Sequence, residues 1–279
     1  FELDAQNEPI KVIKKESLSS HRLVEEFMLL ANKIIATKLS KLKNSIYRVH
    51  DLPDKEKLKE VIMYVKSVSK SKVDLNLNHK KLHVEINTLL NDNALESNKD
   101  AIINLILRSM AKAIYSTKNI GHYGLGFEKY THFTSPIRRY ADLLVHRLLN
   151  NVLCKEKMLD NKLESQCLHF SNTEKKYVDI ERKTTKFAQL LLLKNSTGNA
   201  FKGVVTGLVK WGLYVDIEDG RGEGMVPYRE LSKNGYYYND VKHAFINKKS
   251  GVKYMLGQAL SVEIVSINLF KQEMDLSII

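Results

Sequence analysis

Cysteine is nearly missing from this 279-residue chain: Cys154 and Cys167 stand alone, with no Cys-x-x-Cys pair and no Cys/His ligand spacing. That excludes a disulfide framework and a zinc site, and it fits a reducing cytoplasm. No run of eighteen or more apolar residues exists, so no segment is built to span a bilayer, and no membrane partner is expected. The chain opens at Phe1 without a charged region leading into an apolar one, so no signal peptide is visible. Starting without methionine, it reads as a portion of a longer protein. Internal repeats and low-complexity tracts are also lacking.

What the chain does have is positive charge, a net of +12. A basic surface attracts phosphate backbones by releasing their counterions. The excess is uneven: from Asn199 onward ten Lys/Arg face nine Asp/Glu, which leaves 34 against 23 in residues 1–198. A lysine-rich solvated surface gives the same figures, so charge alone decides nothing. With 43% hydrophobic and 27% charged residues the composition is globular, and the length suits one larger body and a small one.

Periodicity sorts the two bodies. Ser20 to Lys43 has Leu23, Phe27, Leu30 and Ile34 at helical spacing, which predicts a helix with that stripe packed. On its wheel Glu26 borders the stripe and Glu25 points to the wet side. A second helix is expected after Asp51-Leu52-Pro53-Asp54, with Pro53 opening its first turn. A third is expected over Lys99–Ala113, and a long one over Glu156–Lys194. From Phe201 the period becomes two. Leu213, Val215 and Ile217 alternate with Tyr214 and Asp216, and Gly203, Gly207, Gly212, Gly220, Gly222 and Gly224 punctuate short strands. That predicts a small five-stranded barrel, with the long connection Ser232–Gly257 crossing its end. The fold class is α+β, a mainly helical part followed by an OB-type barrel.

The clearest local chemistry lies between Tyr130 and Asn151. Ser135 fits an N-cap and Pro136 a first helical position, with Ile137, Ala141, Leu144 and Leu148 on one face. A helix start exposes free N–H groups and disfavours cations, yet Arg138 and Arg139 occupy that turn. A phosphate docked among them and the Thr134 and Ser135 hydroxyls explains the pattern, because guanidinium forks match phosphate oxygens. The competing assignment pairs Arg139 with Asp142, three residues on. The wheel favours phosphate for Arg138 and the ion pair for Arg139. His132, Ser135, Asp142 and His146 supply the residue types of a serine hydrolase but lack a nucleophile elbow, and the glycines of residues 121–126 lack the strand and helix of a dinucleotide loop.

Tyr123-Gly124-Leu125-Gly126 and the run Tyr130-Thr131-His132-Phe133-Thr134-Ser135-Pro136-Ile137-Arg138-Arg139-Tyr140-Ala141-Asp142-Leu143-Leu144-Val145-His146-Arg147 resemble the signature of the ribonuclease II / ribonuclease R family. Leu23 to Asn32 and Thr173 to Arg182 resemble two further blocks in the same order, and Lys202 onward resembles the family's OB-type RNA-binding domain. The resemblance implies residues 1–197 as the C-terminal part of the catalytic domain and 198–279 as the RNA-binding domain. It implies a processive, Mg²⁺-dependent 3′→5′ exoribonuclease that degrades single-stranded RNA to nucleoside 5′-monophosphates, acting as a monomer.

Carried over by position, Arg138 is the catalytic residue, neutralising charge on the scissile phosphate. By the same correspondence Glu181 lines the RNA path, and Glu25 or Glu26, preferentially Glu26, reads the terminal 2′-hydroxyl; Thr134, Ser135 and Arg139 of the phosphate-site turn are counted with them as RNA-binding. The family's metal site is a tight run of aspartates. Asp51, Asp54, Asp74 and Asp92 are scattered singly here, so no metal ligands are assigned to this chain, and a non-catalytic RNA-binding module is the alternative reading. In the barrel, Trp211 and Tyr214, with Lys210 alongside, are the candidates for base stacking. Where similar domains carry a histidine, this one reads Met225-Val226-Pro227-Tyr228. Tyr236, Tyr237 and Tyr238 receive no role.

Overall fold

In the computed structural model the chain divides into two units, one of Phe1–Lys14, Lys55–Ser109 and Glu181–Ile279, the other of Lys15–Asp54 and Met110–Ile180. The structure describes all residues except 14–15, 43, 69–81, 94, 96–98, 156–161 and 240–242. Lys43, Asp74 and Glu156 lie outside the described residues. Along the chain come β1 (Glu2–Leu3), β2 (Pro9–Lys11), α1 (Ser19–Leu39), β3 (Tyr47–Val49), α2 (Lys55–Val68), α3 (Leu82–Leu90), α4 (Lys99–Ser109), β4 (Ile114–Ser116), α5 (Tyr140–Cys154) and α6 (Leu163–Leu193). Then follow β5 (Ala200–Val209), β6 (Gly212–Ile217), β7 (Gly222–Pro227), α7 (Tyr228–Lys233), β8 (Tyr236–Asn239), β9 (Ala244–Asn247), β10 (Lys253–Tyr254), β11 (Ala259–Asn268) and β12 (Glu273–Ile278). The α+β class and the five-stranded barrel are those the sequence predicts. Among the described residues no helix is long and apolar enough to cross a membrane.

The barrel closes in the order β11-β12-β7-β6-β5, with β12 and β7 parallel and the other pairs antiparallel. Two ten-residue strands, β5 and β11, each carry a register shift, at Val205/Gly207 and at Ile264/Ser266. Such bulges bend a strand enough to pair with two neighbours around a small circumference. Period-two alternation sends Leu213, Val215 and Ile217 inward, where they meet Val205, Val226, Val262, Ile264, Met274 and Leu276. Leu190 and Leu193 from α6, Leu231 from α7 and Phe245 from β9 complete that core. The connection after β7 does not simply cross the barrel's end. It folds into α7 and a three-stranded sheet, β10-β9-β8, because Tyr236 stacks on Tyr254 at 4.7 Å and Tyr238 packs on Phe245.

In the other unit Leu39, Ile46, Tyr115, Ala141, Leu144, Val145, Leu148, Leu163 and Cys167 form the core. Three expectations are corrected here. The stripe on α1 is exposed, with Leu23, Phe27, Leu30 and Ile34 all more than half accessible, while Asn32, Ala36 and Leu39 are buried. A helix wheel identifies a stripe but not what covers it. Next, α5 begins at Tyr140 and not at Pro136, so Ser135 caps no helix and Ile137 is 100% exposed. Finally, Pro53 precedes α2 by two residues and so does not open its first turn. The helix α3 adds an element between the expected second and third helices.

The barrel tolerates no extra atom at Gly224, where an added Cβ would lie 2.7 Å from Leu276 Cγ and 3.0 Å from the Met274 carbonyl oxygen. Gly224→Ala is therefore expected to cost roughly 1–3 kcal/mol of barrel stability, the usual range for overpacking. Denaturant unfolding followed by tyrosine and tryptophan fluorescence checks this. An unchanged midpoint would show that Leu276 moves aside freely.

Candidate nucleic-acid interface

Residues 130 to 139 form no regular structure, yet almost every one is fastened. The Thr131 hydroxyl, fully buried, donates to the Ile46 carbonyl at 2.7 Å, and the Arg48 amide donates to the Tyr130 carbonyl at 2.9 Å. Asn32, reaching across from α1, donates its Nδ2 to the Tyr130 hydroxyl at 3.0 Å and accepts the Phe133 amide at 2.9 Å. The Phe133 ring stacks on His146 with centroids 4.0 Å apart, and His146 Nε2 donates to the Phe133 carbonyl at 2.8 Å. These bonds satisfy backbone groups that a loop would otherwise leave to water.

Asp142 holds the second half of this loop. Its carboxylate is 0% exposed and accepts the Ser135 amide at 2.8 Å and two guanidinium bonds from Arg139, each 2.9 Å. A buried carboxylate is costly unless charge-assisted bonds saturate it, and three donors do so here. The same bonds explain the late helix start. Arg139 adopts an extended backbone (φ −125, ψ 114) and its amide closes a turn onto the Ser135 carbonyl at 3.0 Å. Of the two arginines read as a phosphate clamp, Arg139 is thus engaged by Asp142. Arg138 is exposed at the loop tip, and among the described residues its guanidinium has no hydrogen-bond or ion-pair partner. The Thr134 hydroxyl is buried without a partner, an acceptor and donor left for something else.

Beside the loop Tyr115 links several groups. The Arg48 guanidinium sits 4.7 Å over its ring and forms a forked ion pair with Glu174, and the Tyr115 hydroxyl lies 2.9 Å from His132 Nδ1. Burial pushes the Tyr115 phenol up to about 12, so it keeps its proton and donates to a neutral imidazole. Burial, reinforced by Arg139 and Arg48, pushes His132 down to about 3. His122 falls to about 4 through burial and the neighbouring His50, whose ring stacks on it at 5.1 Å. Arg48 and Tyr115 carry no mark in the sequence, and Asn32 only its place at the end of the Leu23–Asn32 block, because their partners lie 98 to 126 residues away or across a strand pair.

Both α1 carboxylates lie on the exposed N-terminal half of the helix. The helix packs through Leu39, Ala36 and Asn32, and seven residues before Asn32 the same side carries Glu25, about 20° off that line. Glu26 lies roughly 120° away, toward the exposed apolar stripe. Both are exposed, as is Glu181 on α6. On the barrel, Trp211 is 61% exposed in the β5–β6 turn next to Lys210. Tyr214 is half-buried and pairs across the strands with Gly207 and Met225. The next outward residue on β6, Asp216, is directly opposite Glu223, and burial plus that neighbour raises its pKa. One end of this face is therefore aromatic and basic, the other acidic. Among the described residues no three His, Cys, Asp or Glu side chains gather closely enough to hold a metal ion.

The low pKa values of His132 and His122 give a pH dependence. An imidazole held neutral in the fold but protonating near 6.5 when unfolded contributes stability that is complete above pH 6.5 and lost as pH falls toward about 4. The melting temperature should therefore drop between pH 7 and pH 5, before most carboxylates titrate. Thermal unfolding followed by circular dichroism should show this drop flattened in His132→Gln; an equally steep drop in that variant would remove His132 from the account.

Comparison with known proteins gives two family matches, the RNB domain over residues 1–155 and the S1 RNA binding domain over 194–279. Ribonuclease R of Aquifex aeolicus is 30% identical over 95% of this chain and 38% of its own length, and Ribonuclease R of Buchnera aphidicola is 33% identical over 93% and 36%. The apo form of Mycoplasma genitalium RNase R superposes with a TM-score of 0.88 at 27% identity, covering 99% of this chain and 44% of that one. The same enzyme in complex with ribose-methylated single-stranded RNA gives the same figures. The chain thus spans about two fifths of the length of these relatives. A signature loop fastened at its base, an S1-type barrel and a family match over more than half its length agree: this chain belongs to the RNB domain family.

Proposed function

We propose that this chain is the RNA-gripping part of a processive 3′→5′ exoribonuclease that acts on single-stranded RNA and releases nucleoside 5′-monophosphates. The observation that carries the reading is the loop of residues 130–139, immobilised on all sides with one cation, Arg138, left unengaged at its tip. Arg138 meets the scissile phosphate and the unpaired Thr134 hydroxyl accepts or donates alongside it. Glu25 faces the terminal ribose, and Glu181 lies on the RNA path. Residues 1–197 serve as the catalytic part and 198–279 as the binding domain, where Trp211 and Tyr214 stack bases and Lys210 takes a phosphate. The acidic Asp216–Glu223 end repels phosphates and so directs the strand toward Trp211. Support comes from the relatives named Ribonuclease R and from the structural neighbour solved with single-stranded RNA. The setting is a cytoplasmic monomer with both cysteines free.

Magnesium is the family's expected cofactor, and bound Mg²⁺ would activate water and stabilise the leaving oxygen. The described acids do not gather into a site that fits it, so no ligand is assigned. The same observation favours the second reading, a single-strand-binding module without hydrolytic activity of its own. Incubating the chain with labelled single-stranded RNA and Mg²⁺ separates the two: nucleoside monophosphate release supports the nuclease, and intact bound RNA supports the module.

Binding distinguishes the roles of single residues. A phosphate contact contributes to the salt dependence of affinity, so Arg138→Ala should reduce the slope of log K against log salt by about 0.7. Stacking does not depend on counterions, so Trp211→Ala should weaken binding by roughly 1–3 kcal/mol with the slope unchanged. Titration of a fluorescent oligonucleotide at several salt concentrations measures both. Identical slopes for wild type and Arg138→Ala would refute the phosphate contact.

A further inference from the structure

Asn32 is the only buried polar residue described on α1, and neither of its bonds serves its own helix. Asparagine is a mediocre helix former, so its presence there calls for a tertiary reason. Its carboxamide grips Tyr130 through Nδ2 and Phe133 through Oδ1, two points that bracket the buried Thr131 and the half-buried His132. One hydrogen bond fixes a distance and leaves rotation free. Two, from the opposite ends of a planar amide, also fix orientation, so the loop is set in register against α1.

That register has a functional content on the reading proposed above. On the helix side, Glu25 lies two turns from Asn32 on the same face, roughly 10 Å along the axis. On the loop side, Phe133 is held by His146, and Asp142 holds Ser135 and Arg139 on either side of Arg138. We infer that Asn32 is a positioning residue which sets the separation between the Glu25 carboxylate and the Arg138 guanidinium, and so couples the grip on the terminal phosphate to the 2′-hydroxyl of the terminal ribose. The chain should therefore tell a terminal ribonucleotide from a terminal deoxyribonucleotide through Asn32, although Asn32 touches neither.

The test uses two fluorescent RNA oligonucleotides that differ only in the 2′-hydroxyl of their 3′-terminal residue. Wild type should prefer the all-ribose strand about tenfold, the worth of one charge-assisted hydrogen bond. Glu25→Gln should bring the ratio near one. Asn32→Ala should do the same while still binding RNA through the barrel, and Tyr130→Phe, which removes only one of the two bonds, should give an intermediate ratio. Gly224→Ala serves as a control, because a barrel variant that loses stability should keep the full preference. If Asn32→Ala does not fold, Tyr130→Phe carries the test in the same direction. A wild-type ratio of one would overturn the ribose reading itself, and the inference with it. A full wild-type preference in folded Asn32→Ala, or in Tyr130→Phe when Asn32→Ala does not fold, with Glu25→Gln abolishing it, would overturn the positioning role alone.

Discussion

The carboxylate of Asp142 is the constraint on which the candidate site depends. Removed from water, it needs compensation, and it takes it from one backbone amide and from both faces of the Arg139 fork. Those three bonds close the segment Ser135–Arg139 into a turn and delay α5 to Tyr140. They also settle the division of labour between two adjacent arginines: one becomes part of the scaffold, the other remains at a rigid tip with its charge uncompensated. A pair of flexible cations would lose side-chain entropy on gripping a phosphate, and a braced loop lowers that cost.

The surrounding polar groups act in the same sense. Thr131, Asn32, His132 and His146 all spend their hydrogen-bonding capacity on the loop or its neighbours, and His132 does so as a neutral ring. Keeping His132 uncharged avoids adding a third cation beside Arg48 and Arg139, whose charges together with burial are what depress it. Positive potential is thereby confined to groups that can meet solvent. The barrel shows a parallel economy, in which opposed carboxylates at Asp216 and Glu223 leave the Trp211 end of the face as the place for a polyanion.

Helix α1 illustrates how far amphipathic pattern can mislead. Its apolar stripe is real and its periodicity is correct, but the chain buries the opposite side, through an asparagine, an alanine and a leucine. Small and polar residues allow the helix close to the loop, where hydrogen bonds rather than bulk apolar contact fix the geometry. Among the described residues the stripe through Leu23, Phe27, Leu30 and Ile34 stays exposed. On the wheel the carboxylate on the loop's side is Glu25, and Glu26 lies toward the stripe.

The sequence by itself determined the barrel, the longer helices and the family. Alternation in Leu213–Ile217 specifies a strand wherever it lies, and the run from Tyr130 to Arg147 is specific without coordinates, because both are local properties of consecutive side chains. It also offered the Arg139–Asp142 pair, three residues apart. Only the tertiary structure decided which face of α1 is covered, where α5 starts, and that Arg48, Tyr115 and Asn32 serve the loop. Those outcomes rest on partners about a hundred residues away, and on the cost of burying Asp142, which depends on what surrounds it and which no local pattern encodes.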